Sequence, residues 1–204
     1  EDEFNLDPDR VVAVSRGVGA PGGTGLPADH QGRADSTCTT CHRATAEATP
    51  RNVIVTRTAD TMRDVVEVDR SGNIVRQLTG FNGPRDARPL SSNRWLVADA
   101  GGNRVIEVEP DTAAIIWGVS GITSPTSARA LSNGNILIVE NGIPPRVLEV
   151  PRSRTVAWSY TLDFLCVGTS CSGYPEDAAR RADGNTVIAI ADSTQGVIEV
   201  DPSG

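Results

Sequence analysis

A short core of the form V-x-E-V returns four times in this 204-residue chain, and that return limits the fold more than any other feature. It is centred on Val66-Glu67-Val68, Ile106-Glu107-Val108, Leu148-Glu149-Val150 and Ile198-Glu199-Val200, so the spacings are 40, 42 and 50 residues. A second apolar run precedes each core: NVIVTRTAD (52–60), RWLVADAGG (94–102), NILIVENGI (135–143) and NTVIAIADS (185–193). Further upstream stands Pro-x-x-Ala, from Pro84 to Ala87, Pro125 to Ala128 and Pro175 to Ala178. A fourth run follows, NIVRQL (73–78), AAIIWG (113–118) and TVAWSY (155–160). Each unit therefore reads as four short strands with tight turns, a sheet that cannot bury both faces alone and must stack on its neighbours. Gly- and Asn-rich links such as Ser132-Asn-Gly-Asn135 and Ala182-Asp-Gly-Asn185 suit hairpins.

The expected fold class is all-β: a small β-propeller of about four four-stranded blades, forming one domain over residues 1–204. The last unit stops before its fourth strand. Residues 7–17, DPDRVVAVSRG, look like residues 109–118, EPDTAAIIWG, so residues 10–16 are the expected closure strand of the last blade. Pro27-Ala-Asp-His-Gln-Gly-Arg-Ala-Asp35 matches Pro175-Glu-Asp-Ala-Ala-Arg-Arg-Ala-Asp183. The first blade thus has its innermost strand, and residues 36–51 form an insertion behind it.

These repeats resemble NHL and PQQ-like propeller repeats and those of the arylsulfotransferase family. The resemblance is carried by NRVIEVEPD (103–111), RVLEV (146–150) and ADGNTVIAIAD (182–192), and covers most of residues 52–204. It implies a propeller. It implies neither sulfotransferase nor quinoprotein activity, because blades are reused for many purposes.

The insertion holds Cys38-Thr39-Thr40-Cys41-His42, which resembles the attachment motif of c-type cytochromes. Two thiols at this spacing form thioethers to the two vinyl groups of one covalent haem c, and the next residue supplies the proximal imidazole. Cys38, Cys41 and His42 are therefore the expected haem residues. The competing readings are a zinc site using all four cysteines and a plain disulfide. For the distal iron position the chain offers His30 and Met62. His30 takes the place held by Ala87, Ala128 and Ala178, beside the insertion. Met62 is expected at the opposite end of its hairpin, about 17 Å away. His30 is the preferred ligand, with Met62 the alternative. Arg33, Arg43 and Arg51 flank the motif and could meet the propionates. Cys166 and Cys171 have no following His and lie in the extra residues of the longest spacing, where a disulfide is expected. Asp99, Glu140 and Asp192 recur by repeat position and read as turn-forming.

The net charge of −7, with all 19 basic residues Arg, argues against nucleic acid. No run of about 20 apolar residues is present, so no membrane span is expected. Haem attachment and a disulfide both point to a periplasmic or extracellular location, with Glu1 opening a mature form. The expected function is electron transfer by an exported monohaem cytochrome, with an unidentified redox partner protein. Self-association by strand exchange, or through shared haem contacts, would make it an extracellular polymer. The alternatives are a haem-stabilised structural or binding propeller and a peroxidase-like enzyme with an open iron site.

Overall fold

The computed structural model describes residues 52–58, 62–90, 93–168, 170–191 and 196–203. The chain divides into two units, Glu1–Val53 and Ile54–Gly204, and the described residues belong almost wholly to the second. The closure strand expected at 10–16 and the insertion expected at 36–51 lie outside the described residues.

Four meander sheets follow one another. The first has β1 (Val53–Arg57), β2 (Asp64–Val68) and β3 (Ile74–Leu78). The second has β4 (Pro84–Leu90), β5 (Arg94–Asp99), β6 (Arg104–Val108) and β7 (Ile115–Ser120). The third has β8 (Pro125–Ala130), β9 (Ile136–Glu140), β10 (Arg146–Val150) and β11 (Trp158–Thr161). A small hairpin of β12 (Cys166–Val167) and β13 (Ser170–Cys171) precedes the fourth sheet, β14 (Tyr174–Arg180), β15 (Thr186–Ala191) and β16 (Val197–Val200). Within these sheets consecutive strands pair antiparallel, as in β4–β5–β6–β7 and β8–β9–β10–β11. The expected repeat units are thus the sheets, and the fold is all-β, a β-propeller type with four blades among the described residues.

Alternation of side chains explains why the middle strands read as unbroken apolar runs. Along β5, Trp95 and Val97 join a cluster with Val65 and Leu78 of the first sheet. Leu96 and Ala98 point the other way, into a cluster with Ile136, Ile138 and Leu148 of the third. Along β9, Leu137 and Val139 meet Ile188 and Ile190 of the fourth sheet. A strand buried on both faces needs an apolar residue at every position, whereas a half-solvated strand alternates. The blades stack face to face, and burial between them supplies the core.

The Pro-x-x-Ala element has a geometric cause. In β4, β8 and β14 the register slips just after the proline, between Pro84/Asp86, Pro125/Ser127 and Pro175/Asp177. Proline has no N–H to give the ladder and is tolerated at a bulge. Three equivalent bulges bend the first strand of each blade alike and turn residues 86, 127 and 177 toward one another. The repeated turns are equally specific. In the turns after β2, β8 and β14, Gly72, Gly134 and Gly184 take positive φ values of 84°, 84° and 93°, which a side chain disfavours. The preceding Asp69, Asn133 and Asp183 accept the N–H two or four residues on.

Leu96 is fully buried between the second and third sheets, while Ile115 is 57% exposed. Leu96→Ala should therefore cost about 2–5 kcal/mol in urea unfolding, and Ile115→Ala no more than about 0.5 kcal/mol.

Candidate functional site

Cys38, Cys41, His42 and His30, with the flanking Arg33, Arg43 and Arg51, lie outside the described residues. Met62 is described. It precedes β2, in the β1–β2 loop, and is 47% exposed. That loop lies at the far end of β1 from Asn52, one five-residue strand away, about 17 Å. Among the described residues no group of three or more His, Cys, Asp or Glu could hold a metal ion.

Cys166 and Cys171 are bonded to each other across β12 and β13, which they face in register. The expected disulfide is present. A disulfide sulfur is not a thiolate, so neither residue is available to the four-cysteine zinc site weighed above.

The carboxylates are organised by rank in the repeat. Asp99 and Glu140 end their second strands. Both are buried, 0% and 1% exposed. Asp99 Oδ1 accepts the Asn82 backbone N–H at 2.8 Å, and Glu140 Oε2 accepts that of Thr123 at 2.9 Å. The first residue of the third strand pairs with the same acid: Arg104 Nε with Asp99 at 2.9 Å, Arg146 Nε with Glu140 at 2.6 Å. These acids are therefore not turn formers, as their sequence context implies. They tie each blade to the connector that enters it. Asp192 lies outside the described residues. In the first blade the charges are exchanged: Arg57 ends β1 and Asp64 opens β2, and they pair through two guanidinium nitrogens.

The repeated glutamate is a second clasp. Glu107 receives Arg94 of its own blade at 2.8 Å and Arg152 of the next. Glu149 receives Asn135 at 2.7 Å and Arg180 of the next blade at 2.8 Å. Asn185 reaches Glu199 at 2.8 Å. Opposite the glutamate on the fourth strand stands Trp117 or Trp158, whose indole N–H donates to the Arg152 and Pro202 carbonyls at 3.1 and 3.0 Å. Arg152 lies over the Trp117 ring and Arg180 over Trp158.

A third group joins the first strands. Asp177 accepts Ser127 Oγ at 2.6 Å and Arg129 Nη2 at 2.6 Å. Asp86 accepts Arg88 Nε at 2.8 Å and the Ala128 N–H at 3.1 Å. Arg88 also reaches Asp177, at 3.4 Å. Three blades are thereby linked through the residues that the bulges present.

Three of the clasped acids, Asp177, Glu107 and Asp64, have carboxyls below the ordinary value. Burial pushes the Asp177 carboxyl up, but Arg129, Ser127 and Arg88 outweigh it and leave it below the ordinary value. For Glu107, burial is again opposed and overcome by Arg152 and Arg94. Asp64 is lowered by its hydrogen bond from Arg57. Every resolved carboxylate shift among the described residues is downward.

No protein-family model matches this sequence, and no curated protein is similar to it. Solved structures are similar in fold. One is a protein of unknown function from Bacteroides caccae, at 16% identity and a TM-score of 0.61, over 76% of this chain and 56% of that one. Another is the WD40 β-propeller domain of Doa1, at 12% identity and a TM-score of 0.57, over 74% of this chain and 47% of that one. The chain spans about half the length of these structures. At such identities the likeness shows the propeller fold alone.

Lowered carboxylates stabilise the fold while ionised. Their contribution is complete above the ordinary carboxylate range of about 4, and is lost as pH falls through their depressed folded values. Thermal melts should be level through neutral pH and collapse below about pH 4. Glu107→Gln should cost about 1–3 kcal/mol at pH 7. The same change at Glu199, whose side chain is 42% exposed, should cost no more than about 0.5 kcal/mol; chemical denaturation of both variants reads the difference.

Proposed function

We propose that this protein is an exported c-type cytochrome that transfers electrons through one covalently attached haem. The observation that carries the reading is the sequence Cys38-Thr39-Thr40-Cys41-His42. Cys38 and Cys41 would hold the porphyrin by thioether bonds, and His42 would ligate the iron. His30 would fill the sixth position, with Met62 as the alternative. The haem itself supplies a one-electron couple, and the axial pair sets its potential.

Three observations support the reading. The disulfide between Cys166 and Cys171 suits an oxidising compartment, where c-type haem attachment also takes place. It also removes two of the four cysteines from the competing zinc site. His30 takes the repeat position that Ala87, Ala128 and Ala178 hold in the other units, close to the motif in sequence, which favours it over Met62. The location would be the periplasm or the cell exterior, and no helix among the described residues is long and apolar enough to cross a membrane.

The role of the blades is rigid support. Electron transfer needs a redox centre whose surroundings change little between oxidation states, because any reorganisation raises the barrier. Blades clasped by arginine–carboxylate pairs and stacked core faces provide such a frame.

Intact mass of the denatured protein should exceed the polypeptide mass by one haem, and the excess should vanish in a Cys38→Ala/Cys41→Ala variant. His30→Ala should convert a low-spin iron to high-spin, while Met62→Ala should leave it low-spin. A high-spin wild type would move the reading to an open-site enzyme, and an unmodified mass would end the haem assignment.

A further inference from the structure

A cleft of about 460 Å³ opens where the first two blades meet the connector between them. Arg63 and Thr58 come to it from the two sides of the β1–β2 loop. Asn82 and Arg85 come from the connector and the β4 bulge, Gly101 from the β5–β6 turn and Ser124 from the next connector. Two of the described lining residues are arginines and none of the described ones is acidic, in a chain whose net charge is −7.

Among the described residues no carboxylate pairs with either arginine. Arg63 donates to Asn82 Oδ1, a neutral amide. Arg85 is exposed and has no ion-pair partner among the described residues. Two buried acids adjoin lining residues, and both are engaged: Asp99 by the Asn82 N–H and Arg104, Asp64 by Arg57 and Gln77. Most described arginines are clasped by a carboxylate; Arg63 and Arg85 are not, and they differ from Arg70 and Arg154 in lining one cleft together.

The walls are fixed before any ligand arrives. Asn82 Nδ2 donates to the Gly101 carbonyl at 2.8 Å, and the Ala100 N–H to Gly83 at 3.0 Å. A Cβ on Gly101 would lie 1.8 Å from the Asn82 carbonyl oxygen, so the close approach of turn and connector requires glycine there. Such preorganisation lowers the cost of binding. Arg85 is also not demanded by the fold. The residue after the proline is Thr126 in the third blade, where its hydroxyl donates to the Pro175 carbonyl at 3.2 Å, and the exposed Glu176 in the fourth. An arginine at this place belongs to one blade alone among those described.

We propose that this cleft binds a small oxyanion, a carboxylate- or phosphate-bearing molecule, through Arg63 and Arg85. Guanidinium groups match both anions by paired N–H···O bonds. The volume falls within the range of small-molecule sites, and Thr58 and Ser124, two hydroxyl-bearing residues, also line the cleft.

Calorimetric titration of the full chain with citrate and with inorganic phosphate, at low and at physiological salt, tests it. Saturable one-to-one binding by at least one probe is expected, weaker at higher salt. Arg85→Gln and Arg63→Gln should each reduce affinity about tenfold. Arg70→Gln, at an exposed turn, should leave it unchanged. Arg85→Gln removes no internal contact, so its melting temperature should match the wild type and separates lost binding from lost folding. No saturable binding by either probe, or equal weakening by Arg70→Gln, would overturn the proposal.

Discussion

A carboxylate buried on the third strand of a blade has to be paired, and the pairing of Glu107 and Glu149 holds the rest of the structure in register. Each glutamate takes one partner from its own blade and one from the next, Arg94 and Arg152 for Glu107, Asn135 and Arg180 for Glu149. Strand periodicity is two, so a one-residue slip would turn the glutamate to the opposite face and strand both arginines. Removing one partner of such a pair costs more than the pair itself contributes, because a desolvated charge is left behind. The glutamates thus specify which strand lies beside which, while the apolar clusters between blades supply most of the free energy. Arginine suits this work. Its planar fork can serve a carboxylate and lie over an indole together, as Arg152 and Arg180 do, and lysine's point charge cannot.

The blade plan was legible in the sequence because each of its parts answers to a local rule repeated four times. Glycine and asparagine mark turns, apolar runs mark strands buried on both faces, and the 40–50-residue spacing marks the unit. The meaning of particular residues was less legible. Asp99 and Glu140 stand at the ends of apolar runs beside Gly and Asn, a context that reads as a turn. Their true partners, the Asn82 and Thr123 N–H groups, lie 17 residues upstream. The exchanged pair of Arg57 and Asp64 was equally hidden, since neither residue fits the pattern of its repeat until the two are seen together. The cleft could not be read from the chain at all. Arg63 and Arg85 belong to different blades, and only stacking brings them to one wall.

The haem residues show the opposite balance. Cys38, Cys41 and His42 are legible as a motif because covalent attachment dictates their spacing, whatever the fold around them. Their surroundings are not dictated by that spacing, and neither is the distal ligand, which depends on where His30 and Met62 come in space. The disulfide at Cys166 and Cys171 was readable for a similar reason. Two cysteines in a short excess loop have few partners besides each other.

A repeat scaffold divides labour in a way that suits the proposed function. Blades share one set of clasps and clusters, so a single blade can carry an insertion or a substituted arginine while its neighbours hold the frame. The redox centre and the anion cleft would then be two local departures from a common plan. The most direct test of the central proposal is the absorption spectrum of the purified protein, oxidised and dithionite-reduced, followed by its pyridine haemochrome. A sharp reduced α band and a haemochrome of the covalent c type are predicted; the absence of any haem band in protein matured by an exporting, haem-attaching host would contradict the account.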